Sequence, residues 1–402
     1  MNKAVVVLTI AISAVGLSAA GCTVSIDPDD LDIDVDVDLD SLTSPSPVDD
    51  DDPLALALDE VVAAGPPGAL ALRRIDGSER WARAGVAEVR SRRRPGFRDR
   101  WRVASVTKPL VATVVLQLVS EGKLALDHRA DSYLSGVLPQ ELPITIRQLL
   151  QHTSGLADYH DFDGLDSAAA FRDHRFEDPS ARDRIALAVA HSPVSAPGAA
   201  FHYTDTNYRV LELVVQARTG RSIADEITRR IIRPLHLGGT SFPIDDPRID
   251  GTHLHGYMPG DLPEQPFGDQ GHLIDYTVQT LDQTGGAGAV ISTAPDLARF
   301  FDSLLNGELL PPSLLAEMLQ TVPVDGESAA LGITGYGLGL ERWEVGCGTV
   351  FGHGGSTRGY TTLALGHPAV HDTAVLVATQ DPLPLTAFGP TLQAVATAVC
   401  AP

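Results

Sequence analysis

Lysine is almost missing from this chain. Thirty basic side chains stand among 402 residues, and only Lys3, Lys108 and Lys123 are lysines. Positive charge is scarce altogether, and a formal charge of −22 excludes nucleic acid as a partner. Cysteine is scarce too, with Cys22, Cys347 and Cys400 alone. No internal repeat is present. Metal-ligand spacing is also wanting: His253 and His255 form an H-x-H pair near His272 with no carboxylate at ligand spacing. Loop or surface histidines are the expected reading, and neither a metal nor an organic cofactor is implied.

Basic and aromatic residues are both absent between Asp27 and Asp52, where twelve aspartates fall. Strict alternation in "DLDIDVDVDLD" is compatible with a strand. A strand with aspartate at every second position lacks a second apolar face, and a Ser/Pro run follows, so a solvated, self-repelling tether over 22–53 is preferred. Calcium binding is set aside because no turn-forming ligand loop is visible. Ahead of it, Lys3, the apolar stretch Ala4 to Leu17 and small residues ending in "AAGC" mark residues 1–21 as a signal peptide. The same four residues resemble a bacterial lipobox, with Cys22 as the lipidated residue of the mature chain. An exported protein held at the cell membrane and facing the wall is expected, with simple secretion as the alternative. Cys347 and Cys400 are then an even pair outside the cytoplasm, for which a disulfide is expected and two buried thiols are the alternative.

The folded domain is expected over 54–402. "GALALRRIDGSERWARAGVAEV" gives two strands joined at Asp76-Gly77. Residues 360–366 and 373–380 give two more, and "LTAFGPTLQAVATAVC" a closing helix. Helical patterns fill the middle. The expected class is α/β (α+β): an antiparallel sheet built from N- and C-terminal strands flanked by helices, plus a mainly helical lobe.

The lysine shortage makes Lys108 conspicuous. It follows Ser105 by three residues and precedes Pro109 and an apolar helix running to Gly122. Arginine keeps its proton, whereas a buried lysine can act as a base. Ser105 and Lys108 share one face of a single helical turn, where the amine reaches the hydroxyl and activates it. Pro109 has no N–H for the carbonyl of Ser105, so a tight, 3₁₀-like opening turn is predicted. A Y-x-D pair, Tyr203 and Asp205, follows Ser105 by 98 residues, and an H-x-G group, His353 to Gly355, follows Tyr203 by 150.

Ser105-Val-Thr-Lys108, Tyr203-Thr-Asp205 and His353-Gly-Gly355 together resemble the three ordered motifs of serine β-lactamases and penicillin-recognising D-alanyl-D-alanine carboxypeptidases. The flanks "RWRVASVTKPL", "ITIRQLLQHTSGL", "PGAAFHYTDTNY" and "GYGLGL" resemble the branch with class C β-lactamases, esterases and secreted carboxypeptidases, the last most closely. The resemblance implies a β-lactamase/transpeptidase-like fold and an acyl-enzyme. Ser105 is the implied nucleophile and Lys108 the proton acceptor. Tyr203, kept partly ionised by Lys108, is the implied proton shuttle. The N–H groups of Ser105 and Ser356 form the implied oxyanion hole. His353 takes the place of a lysine, orients substrate and keeps the site electropositive. Asp205, Gly354, Gly355 and Tyr159 are the implied cleft residues, and the "HTSG" stretch at His152 is a structural helix end.

Three positions depart from the resemblance. Asp205 stands where asparagine is frequent. Glu341 stands where carboxypeptidases carry an arginine for the substrate carboxylate, and Arg342 or Arg358 is the candidate replacement, with Arg358 preferred. Gly354 and Ser356 leave one hydroxyl fewer than usual. The resulting expectation is a monomeric, penicillin-reactive D-alanyl-D-alanine carboxypeptidase-like hydrolase. Its partners would be peptidoglycan stem peptides, β-lactams and, through the N-terminal lipid, the membrane. A β-lactamase or esterase of the same family, and a non-catalytic peptide-binding lipoprotein, are the alternatives.

Overall fold

The computed structural model describes residues 45–400, apart from 166–167, 178, 244–245, 261–268, 281–284, 325, 369 and 384, together with 22–26 and 33–37. The signal peptide expected over 1–21 lies outside the described residues. The chain divides into two units, residues 1–45 and 46–402.

In the first unit, β1 (Cys22–Ile26) and β2 (Ile33–Val37) pair antiparallel. The tether expected over 22–53 includes these two strands, and residues 27–32 and 38–44 of it lie outside the described residues. The register sets Val35 opposite Val24 and Ile33 opposite Ile26.

The second unit opens with α1 (Pro53–Ala63), capped by Asp52 with a proline in its first turn. Then come β3 (Gly68–Ile75), β4 (Ser78–Gly85) and β5 (Trp101–Arg102). The central helix α2 (Thr107–Ser120) follows. The helical lobe holds α3 (Ile146–Leu150), α4 (Ala168–His174), α5 (Ala181–Val189), α6 (Asp205–Thr219) and α7 (Ile223–Ile227), the last running into a π turn over Thr228–Ile232. After it come β6 (Tyr257–Gly260), β7 (Asp269–Asp275), β8 (Ile291–Ser292), α8 (Ala294–Leu305), α9 (Pro312–Leu319) and α10 (Gly326–Ala330). The chain closes with β9 (Ile333–Tyr336), β10 (Glu341–Val345), β11 (Gly348–Thr357), β12 (Tyr360–Gly366), β13 (Thr373–Ala378) and α11 (Leu385–Val399).

Seven strands form one antiparallel sheet in the order β4-β3-β13-β12-β11-β10-β9. The expected sheet from both chain ends is what forms, with β13 lying between β3 and β12. Side chains alternate across it. Leu70, Leu72, Val375 and Val377 face the helical lobe, whereas Ala69, Ala71, Ala374 and Leu376 pack under α1 and α11. Cys347 and Cys400 are joined, with Cα atoms 5.4 Å apart, tying α11 to the β10–β11 turn.

The apolar residues of α2 do not make a single stripe. Ala112 and Leu116 are as buried as Leu110, Val111, Val114 and Val115, because sheet and lobe enclose the helix from opposite sides.

Candidate active site

Ser105 sits in a 3₁₀ turn, Ala104–Val106, that leads directly into α2. This is the tight opening turn expected ahead of Pro109. Ala104 takes a left-handed φ of 53°, a conformation that costs a non-glycine residue about 1–3 kcal/mol and that surrounding contacts must hold. Val103 N–H bonds the carbonyl of Val290 at 3.0 Å, and Thr107 Oγ1 accepts from Val290 N–H at 3.0 Å. Gly355 of β11 lies against the turn. A Cβ there would stand 2.3 Å from the carbonyl oxygen of Val103 and 3.2 Å from Ser105 N, so only glycine lets strand and turn approach. Ser356, the next residue, is thereby brought beside the nucleophile, and its hydroxyl donates to buried Asp381. Burial raises the Asp381 carboxyl to about 6.

Lys108 is fully buried. Its Nζ donates to Ser105 Oγ at 2.8 Å and to the carbonyl of Ala287 at 2.9 Å, and pairs with Asp205 Oδ1 at 2.7 Å. Three acceptors match the three protons of an ammonium group. Asp205 opens α6, where Thr204 caps the helix by accepting from Thr206 N–H. One face of α6 continues the site at i+4 and i+7 from Asp205. Arg209 donates to Glu212 Oε2, which accepts from Gly286 N–H at 3.0 Å and so fixes the loop that presents Ala287.

Tyr203, just ahead of that cap, faces the Ser105 hydroxyl, and Lys108 Nζ lies 4.9 Å from its ring centre. The expectation of a partly ionised phenol is corrected. Burial and the Asp205 carboxylate push Tyr203 well above its ordinary value, so its resting form is the neutral phenol. Lys108 Nζ is thus the basic group in contact with the Ser105 hydroxyl, at 2.8 Å.

His353 also departs from expectation. It is buried, with Nε2 2.9 Å from the Tyr336 hydroxyl and Nδ1 against the carbonyl of Gly354. Burial holds its pKa down despite Glu341, so it is neutral and does not make the site electropositive. Glu341 is buried behind β11. Its Oε2 accepts from Gly354 N–H at 2.8 Å and from Trp343 Nε1 at 3.1 Å. Arg358 donates to the carbonyl of Leu165 at 2.9 Å and stacks over Phe171, while Arg342 pairs with Glu344. Tyr159, expected in the cleft, is fully buried beneath Asp205 with Arg184 over its ring.

Of two further contributors, His152 was expected as part of a structural helix end and His160 escaped the sequence. His152 stacks on Tyr203, and its Nδ1 accepts from the N–H of Thr204 at 3.2 Å, which fixes the proton on Nε2. His160 sits 3.3 Å from Asp205 Oδ2 through Nε2, on the far side of that carboxylate from Lys108. "DYHD" was visible, but nothing local links it to a residue 45 positions later.

An antiparallel sheet, an enclosed helix opening on Ser-x-x-Lys and a tyrosine beside the serine are the arrangement that an acyl-enzyme serine hydrolase needs. The chain belongs to the beta-lactamase family, whose model matches residues 55–398. It is similar to a D-aminopeptidase of Cereibacter sphaeroides, at 29% identity over 76% of this chain and 56% of the relative. The chain thus spans little more than half the length of that curated relative. Esterase EstB of Burkholderia gladioli is 31% identical over 43% of this chain and 48% of its own. A crystal structure of a D-stereospecific amidohydrolase from Streptomyces superposes with a TM-score of 0.76 at 31% identity, covering 87% of this chain and 98% of that one.

Proposed function

We propose that this serine hydrolase cleaves amide or ester bonds on the carbonyl side of a D-configured residue, in substrates whose leaving group carries no carboxylate. The observation that carries this is the charge behind β11. Glu341 occupies the position where a carboxylate-binding cation is expected, and the neighbouring arginines are engaged, Arg342 with Glu344 and Arg358 with Leu165 and Phe171. A carboxylate leaving group would find an acidic side chain there in place of a cation. The names of the similar proteins, a D-aminopeptidase and a D-stereospecific amidohydrolase, support the same reading.

The competing reading is the D-alanyl-D-alanine carboxypeptidase, favoured by the complete Ser105, Lys108 and Tyr203 set. Hydrolysis of D-alanine p-nitroanilide, D-phenylalanine amide and a diacylated Lys-D-Ala-D-Ala peptide separates the two. Turnover of the first two, lost in Ser105→Ala, is expected. Turnover of the tripeptide alone, with stable labelling by a fluorescent penicillin, would establish the carboxypeptidase. Export and a lipid on Cys22 belong to the same proposal, supported by the apolar run from Ala4 to Leu17 and by "AAGC". Incorporation of labelled palmitate that Cys22→Ser abolishes is the expected result.

A further inference from the structure

Asp205 poses an electrostatic problem that asparagine would not. Its carboxylate is held next to Lys108, and a full negative charge there opposes the loss of the ammonium proton that catalysis needs. The second oxygen of Asp205 is not left to water. His160 Nε2 stands 3.3 Å from Oδ2, and His160 Nδ1 stands 2.9 Å from Asp163 Oδ2. Both ring nitrogens thus face carboxylate oxygens, an arrangement that only the doubly protonated ring satisfies.

We propose that His160 is a positioning residue, an imidazolium that shares the Asp205 carboxylate with Lys108 and makes the Asp205–His160 pair electrically equivalent to a neutral asparagine.

The loop carrying His160 is built for this. Asp158 accepts from His160 N–H and from Asp205 N–H, each at 3.0 Å, and so pins the loop to the start of α6. Asp163 is fixed in turn by Leu165 N–H at 2.9 Å and Arg184 at 3.3 Å. His160 is faced by Asp158, Asp163, Asp205 and the Tyr159 ring, and Asp205 by Lys108, His160, Asp158, Tyr159 and Tyr203. Beyond Lys108 lie Tyr208, His152 and His353. Burial opposes the charge on His160, yet its bonds to Asp163 and Asp205 raise it to about 10. Asp205 is held far below the usual carboxylate range by Lys108 and His160 against its own burial. Asp205 therefore stays ionised and His160 stays cationic across neutral pH.

The proposal rests on Lys108 as the group that takes the Ser105 proton, and two measurements on the full chain keep it separable from that assignment. In the first, ¹⁵N-histidine NMR of the wild-type protein should show both His160 nitrogens protonated at pH 8.5, with the signals identified by their loss in His160→Gln. A His160 that titrates near the ordinary value of about 6.5 would overturn the proposal. This arm needs no turnover. In the second, pH profiles of kcat/KM are compared for wild type, His160→Gln, Asp205→Asn and the double variant. His160→Gln should move the acid limb up by about one pH unit and lower kcat/KM at pH 7 about tenfold, because Asp205 then acts on Lys108 alone. In the Asp205→Asn background the same change should cost less than about twofold. An equal loss in both backgrounds with an unmoved profile would make His160 merely structural and overturn the proposal. Activity that survives Lys108→Ala would instead fault the assignment of the base.

Discussion

His152 lies against Tyr203 with ring centroids 4.3 Å apart and planes 27° from parallel. The contact is held from below: the N–H of Thr204 and the Asn207 amide both reach His152 Nδ1, and Asn207 Oδ1 accepts from Ser154 at 2.6 Å. His152→Ala should remove the support of the tyrosine ring and leave buried donors unpaired. The expected loss is about 3 kcal/mol of stability by urea denaturation, with kcat falling more than KM rises.

Tyr203→Phe keeps this stack and removes only the hydroxyl. Acylation by an activated ester should persist, since the leaving group needs no proton. Turnover of an amide should fall by about 10²–10⁴-fold, measured as steady-state kcat against the ester control.

Arg358→Ala tests the carboxylate assignment made from sequence. Because the guanidinium holds Leu165 and Phe171, the variant should lower kcat/KM for carboxylate-bearing and uncharged substrates by the same factor. A selective loss on the carboxylate substrate would restore Arg358 as its binding residue.

Asp381 gives a pH signature. Its folded value of about 6 lies above the ordinary carboxyl value, so the native state binds this proton more tightly than the unfolded chain. The stability it contributes is present at about pH 3 and is lost as pH rises through 6. Asp381→Asn should therefore be about 3 kcal/mol more stable than wild type at pH 8, a difference that closes as pH falls to about 3, by denaturation at both values.

Reduction of the Cys347–Cys400 bond opens a loop spanning 53 positions. A cost of about 2–4 kcal/mol is expected, read as a lower denaturation midpoint in dithiothreitol that Cys347→Ser/Cys400→Ser reproduces.

Much of the site was legible because its chemistry is local. Ser105 and Lys108 need one turn, and Pro109 fixed where that turn begins. The short apolar runs of Gly68–Ile75 and Thr373–Ala378 were equally plain. What stayed hidden depends on neighbours distant in sequence. The neutrality of Tyr203 and His353 comes from burial, which a motif does not encode. The hold on Ala287 runs through Arg209 and Glu212, and the cation on Asp205 comes from another loop. Glu341 was legible as an acidic side chain in place of a cation, but its anchorage on Gly354 and Trp343 was not.

The order of strands has a consequence for biogenesis. Residues 68–85 can pair with each other as soon as they are made, but the strand that links them to β12 and β11 is Thr373–Ala378. Until that strand inserts, the nucleophile's turn has no Gly355 beside it within a finished sheet. Nearly 270 residues separate Ser105 from residue 373, so the closing pairings are of high contact order and come late. A chain that has not yet reached residue 378 therefore lacks the strand that joins the two halves of the sheet carrying Gly355.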